Sequence, residues 1–232
     1  MVLRRALPLA LAGLVAGAAL AGCGADSSSS ADRSPSASAT ASAGPTEVPS
    51  GYPSGVASEA PDATFTTPGT ALRLGQSATV AWQPTQRLTG VLDVTVTALH
   101  STSFDQSFKG WQLDATTKAN APFFVDATVR NAGSSDLGGQ RVPLYGAAAS
   151  GALVEASSFA SDFKPCGPSV LPTPFPAGAS TQVCLVYLVP QAGVLDGVTF
   201  RPTESFQPIT WSGTVSRLSP SPTTPKATTS PS

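Results

Sequence analysis

Charge is scarce in this 232-residue chain: Asp, Glu, Lys and Arg make up 12% of it, and the formal net charge is -1. The positive excess that tracks a phosphate backbone is missing, which excludes nucleic acid as a partner. Histidine occurs once, as His100, and cysteine three times, as Cys23, Cys166 and Cys184. So few ligands rule out most zinc sites, no other metal or cofactor is expected, and imidazole-based catalysis has little to work with. No Asn-x-Ser/Thr acceptor is present, because Asn120 precedes Ala-Pro and Asn131 precedes Ala-Gly. Long apolar runs are missing as well. The longest, at residues 6–20, is about 15 residues broken by Pro8, Gly13 and Gly17, whereas a helix needs roughly 20 to cross a bilayer.

That run has another use. It follows Arg4 and Arg5, and a basic start before a short apolar stretch makes residues 1–22 a secretory signal peptide. It ends in Leu20-Ala21-Gly22-Cys23, which resembles the bacterial lipobox. The resemblance implies that a diacylglyceryl group is attached to the Cys23 thiol and that the leader is cut before it. Cys23 then becomes the first residue, and paired acyl chains hold a protein at a membrane where one alone holds it only marginally. The expected location is the outer face of the cell membrane.

Residues 23–70 are almost entirely Ser, Ala, Thr, Pro and Gly, with Val48, Tyr52, Val56 and Phe65 as the apolar residues of any size. Such a segment buries too little to offset its ordering entropy and reads as a disordered linker. Residues 214–232 repeat this composition and read as a polar tail. About 143 residues, 71–213, remain for one folded domain.

Within them the period is two. Leu92, Val94, Val96 and Ala98 share one face against Asp93, Thr95 and Thr97, and Phe123, Val125, Ala127 and Val129 oppose Phe124, Asp126, Thr128 and Arg130. Asn131-Ala132-Gly133 then supplies a turn. Residues 181–189 are apolar on both faces and belong in the middle of the packing. Shorter strands are expected at residues 78–82, 142–145, 153–155, 198–200 and 209–211. The best helical stretch, residues 155–163, is weakened by its serines. Seven to eight short strands in one domain mean an all-β sandwich.

With Cys23 lipidated, Cys166 and Cys184 remain as an even pair in an exported protein and are expected to bridge. The loop is far too short for an antibody-type disulfide, which joins two sheets across most of a domain. Leu74-Gly75, the run Pro122 to Asn131, Phe175-Pro176-Ala177-Gly178 and the strand Val183 to Pro190 together resemble the immunoglobulin-like domain of unknown function on secreted lipoproteins of high-GC Gram-positive bacteria. A related fold occurs in small secreted mycobacterial antigens. The resemblance implies an immunoglobulin-like β-sandwich and an exported location, and transfers no catalytic residue.

The remaining constellations carry little chemistry. Ser101, Ser103 and Asp105 lie near His100, but neighbours along a strand point to opposite faces, and no Gly-x-Ser-x-Gly elbow occurs. Ser161 and Lys164 match Ser-x-x-Lys without its companion motifs. Asp93, Asp105, Asp114, Asp126 and Asp136 are spread too widely for a calcium loop. Trp82 and Trp211 end apolar strands and read as packing residues. Trp111 stands in a polar loop with Lys109, Gln112 and Asp114, and is the one residue expected to touch a ligand. The reading is therefore a lipid-anchored binding or structural module, not an enzyme. Its working surface is placed on loops 104–120 and 157–174. Its partner is an unidentified envelope protein or polysaccharide, and the alternative is a carbohydrate or small-molecule receptor using Trp111.

Overall fold

Runs of β-branched and aromatic residues between turn formers favour pleated, half-buried backbone, and among the described residues they yield ten strands. The computed structural model describes residues 47–159, 161 and 163–219. In chain order the strands are β1 (Ala71–Arg73), β2 (Ser77–Thr85), β3 (Leu88–Ser101), β4 (Ala121–Asn131), β5 (Leu144–Ala148), β6 (Leu153–Glu155), β7 (Ser180–Val189), β8 (Leu195–Phe200), β9 (Ile209–Ser212) and β10 (Val215–Arg217). Three single-turn helices accompany them: α1 (Val56–Glu59), α2 (Phe104–Ser107) and α3 (Ala115–Lys118). The expected signal peptide, Cys23, the first part of the expected linker and the end of the expected tail lie outside the described residues.

One sheet has the order β1-β9-β8-β5-β6, and the other runs β10-β3-β4-β7 with β2 also on β3. β3 holds both β2 and β10 because it is 14 residues long. β2 lies antiparallel along its first half, and β10 runs parallel beside Leu99–Ser101. The two sheets close on a shared core, forming the expected all-β sandwich. Val94, Val125, Leu185 and Tyr187 from one sheet pack with Leu144, Val198, Phe200 and Trp211 from the other. Trp211 is fully buried and donates its indole N–H to the Gln76 carbonyl at 2.9 Å. Trp82 is buried too, lying across from Gly90, where a Cβ would come within 2.4 Å of the indole. Glycine at that position is what lets the ring lie flat on the neighbouring strand.

Three expectations change. Two strands exceed the expected count: β1 and β10 have three residues each, too short to show a period. Ala98 leaves the core face, because the β3–β4 register shifts between Val96 and Ala98; Leu99 takes the inward place and is buried. A bulge of this kind moves every later side chain by one position. β7 is buried on both faces yet stands at the edge of its sheet, its outer face covered by loops. In agreement with the weak helical signal of residues 155–163, the described residues among them hold no helix; the first ends β6 and the others are loop.

The expected domain limits at 71 and 213 also move outward. Val56, Ala60 and Phe65 are buried against Ala81 and Val91 on the outer face of β2 and β3. Tyr52 packs between Phe65 and Phe206, and its hydroxyl donates to the Thr66 carbonyl at 2.6 Å. The Glu59 carboxylate accepts the Ser135 N–H, while its carbonyl accepts that of Ser134 at 3.1 Å. A polar segment cannot build a core, but a few apolar anchors suffice when a sheet face is already there to receive them. At the other end, Leu218 packs beneath the aromatic cluster described next, and its N–H donates to Ser101.

Candidate functional site

The outer face of β4 and β7 presents Phe124, Cys184 and Val186, and two loops cover it. The first, residues 102–120, is built from two capped turns. Ser103 accepts the Gln106 N–H at the start of α2, and Asp114 accepts the Thr117 N–H, at 2.6 Å, at the start of α3. That hydrogen bond from Thr117 holds the Asp114 carboxyl below the usual carboxylate range. The second loop, residues 156–174, is tied to β7 by the Cys166–Cys184 disulfide. Ser157 also donates its N–H to Val186, and Cys184 donates to Pro168, so two of the polar groups on the free edge of β7 are satisfied.

The two loops meet through aromatic rings. Phe159 and Phe163 stack at 4.4 Å, and Phe163 approaches Phe108 at 4.8 Å. Trp111 stands edge-on to Phe159 at 5.3 Å and to Phe163 at 5.6 Å. The indole is 37% exposed, whereas Phe163 beneath it is 5% exposed. Trp111 is therefore an open ring braced by rings from the other loop, with Lys109, Gln112 and Asp114 exposed beside it. The two loops nominated from the sequence thus come together around the residue nominated within them.

His100 gains partners that its neighbours in sequence did not suggest. Its Nδ1 lies 2.8 Å from the Ser216 hydroxyl of β10, and its Nε2 lies 3.3 Å from an Asp126 carboxylate oxygen on β4. Ser101, Ser103 and Asp105 take no part in this arrangement, which ties three strands together across a partly exposed sheet face. The nearby cavities beside Asp126 and beside Arg217 are lined by neither His100 nor Ser216. Asp93 and Asp136 are engaged locally. Asp93 pairs with Arg130 at 3.1 Å and accepts the Thr79 hydroxyl, and Asp136 accepts the N–H groups of Gly138 and Phe175 at 2.8 Å. Among the described residues no three metal-ligating side chains converge. Ser161 and Lys164 are exposed on the second loop.

A cavity of about 190 Å³ opens beside β5 and β6. Their ladder ends at the Tyr145–Glu155 pair, after which Ser157 is already bonded to β7 of the opposite sheet. The two chains splay, and the gap reaches down to Val142, Leu144 and Leu185, which remain buried at its floor. Glu155 and Tyr145 border it together with Arg141, whose guanidinium donates to the Ser158 hydroxyl. No sequence spacing marks this site, since it depends on where one ladder stops.

No family model matches this chain, and no curated protein matches it. Among solved structures it is similar to MPT63, a secreted protein from Mycobacterium tuberculosis. The likeness has 15% identity and a TM-score of 0.43, and covers 64% of this chain and 100% of that one. The fold assigned here rests on the chain's own strand pairings.

Proposed function

We propose that this chain is a lipid-anchored module on the outer face of the cell membrane that binds an envelope component and catalyses no reaction. The observation that carries the reading is Trp111, an exposed indole held rigid by Phe159 and Phe163 of a second, disulfide-tied loop. An aromatic residue fixed in advance loses little entropy on binding, the property that makes such residues anchors in recognition surfaces. The anchor is assigned to Cys23 on the strength of the preceding Leu20-Ala21-Gly22. The Cys166–Cys184 bridge fits an oxidising compartment.

A polysaccharide is the second reading for the ligand. It is favoured by the polar Lys109, Gln112 and Asp114 around an exposed ring, which offer hydrogen bonds at the margin of a stacking platform. Titration of cell-wall fragments against tryptophan fluorescence tests it. Trp82 and Trp211 are buried, so a saturable change belongs to Trp111 and is lost in Trp111→Ala. Silence at millimolar fragment sets the sugar aside. If a photo-cross-linker at position 111 in intact cells also captures no partner, the binding role fails with it.

A further inference from the structure

We propose that the cavity between β5, β6 and β7 is a second binding site, separate from Trp111, for a small zwitterion with an apolar body, of the α-amino acid class. Three features of the gap lead there. Its apolar lining is Val142, Leu144 and Leu185, all three part of the sandwich core, so an apolar group entering it continues that core instead of meeting water. Its polar margin carries both signs of charge, Arg141 and Glu155. Among the described residues neither is in an ion pair.

Arg141 spends one N–H on Ser158, and a guanidinium has five, so donors remain for a carboxylate in the two-pronged geometry that arginine favours. Glu155 supplies the complement for an ammonium group and disfavours a plain anion, which Arg141 alone would accept. Size narrows the class further. At about 190 Å³ the cavity is smaller than the roughly 300–1,000 Å³ of drug-sized sites. It suits a group of amino-acid size.

The test uses the full chain, with leucine as probe and two analogues that each lack one charge: 4-methylpentanoate, without the ammonium, and isopentylamine, without the carboxylate. Backbone amide shifts report both affinity and place. Leucine is expected to move amides around residues 141–145 and 155–157 saturably and to leave those around Trp111 unmoved. Each analogue is expected to bind about tenfold or more weakly, the loss of one charge-assisted contact. Arg141→Gln and Glu155→Gln alter exposed side chains, and an unchanged thermal midpoint will show that each variant folds. Each is expected to bring leucine down to the level of the corresponding analogue. The proposal is overturned if leucine moves no amide at about 10 mM, a concentration at which even weak millimolar complexes register. It is equally overturned if the analogues bind as well as leucine, if Arg141→Gln binds leucine undiminished, or if the shifts cluster at Trp111 instead.

Discussion

The hydroxyl of Tyr187 on β7 donates to the carbonyl of Leu144 on β5 at 2.9 Å, a fully buried hydrogen bond that joins the two sheets through the core. The apolar contacts around it tolerate small shifts of one sheet on the other, whereas a directional hydrogen bond fits a single alignment. Burial, reinforced by the charge of Tyr145, pushes the Tyr187 hydroxyl far above the ordinary phenol range, so it stays a donor at every pH the fold survives.

Replacing that hydroxyl tests its weight. Tyr187→Phe keeps the ring volume and strips the Leu144 carbonyl of this partner, so urea unfolding is expected to show a loss of about 1–3 kcal/mol with an unchanged slope. An unaffected midpoint would mean that water or a backbone shift replaces the bond.

The disulfide is expected to matter more for stability than for the sandwich's shape. Cys166 and Cys184 are 18 residues apart, and closing a loop of that length contributes about 3 kcal/mol in the chain-entropy model. The double serine variant is expected to lose stability on that scale and to keep its strand content by circular dichroism. Its Trp111 emission should also move toward that of free tryptophan, because Phe159 and Phe163 lose their tether.

Acid is expected to release the segment containing α1 before the sandwich unfolds. Burial raises the Glu59 pKa, but hydrogen bonds from the side chains and N–H groups of Ser135 and Ser134 outweigh it, leaving the carboxyl below its ordinary value of 4.5. A carboxylate depressed in the folded state stabilises it above the unfolded pKa, and that contribution disappears as pH falls through the lower, folded value. Hydrogen exchange at residues 56–66 is therefore expected to accelerate below about pH 4.5, ahead of exchange in β3 and β4. Glu59→Gln should show faster exchange at neutral pH and a flatter acid response.

What could be read in advance followed from alternation. β3 and β4 declare themselves by period two, β7 by a run apolar on both faces, and the inward residues of β4 are those the pattern assigns. The pattern fails where geometry depends on a partner strand. Nothing local marks the bulge that turns Ala98 out and Leu99 in, since it arises in pairing with β4. β1 and β10 are held by β9 and β3 and have too few residues to show a period of their own. The same blindness hid Ser216 and Asp126 from His100, and Arg141 and Glu155 from their shared cavity. For residues 47–70 the fault was averaging: the composition is that of a disordered segment, yet Tyr52, Val56 and Phe65 are spaced to reach a waiting sheet face. The exposure of Trp111 was legible because it stands among the polar Lys109, Gln112 and Asp114.

The anchor is the claim on which place and role both depend, and intact-mass spectrometry of the chain extracted from its native membrane tests it directly. The account predicts a polypeptide beginning at Cys23 and heavier than its sequence by a diacylglyceryl group. A chain recovered from the medium with a free Cys23 thiol, or one still carrying residues 1–22, would contradict it.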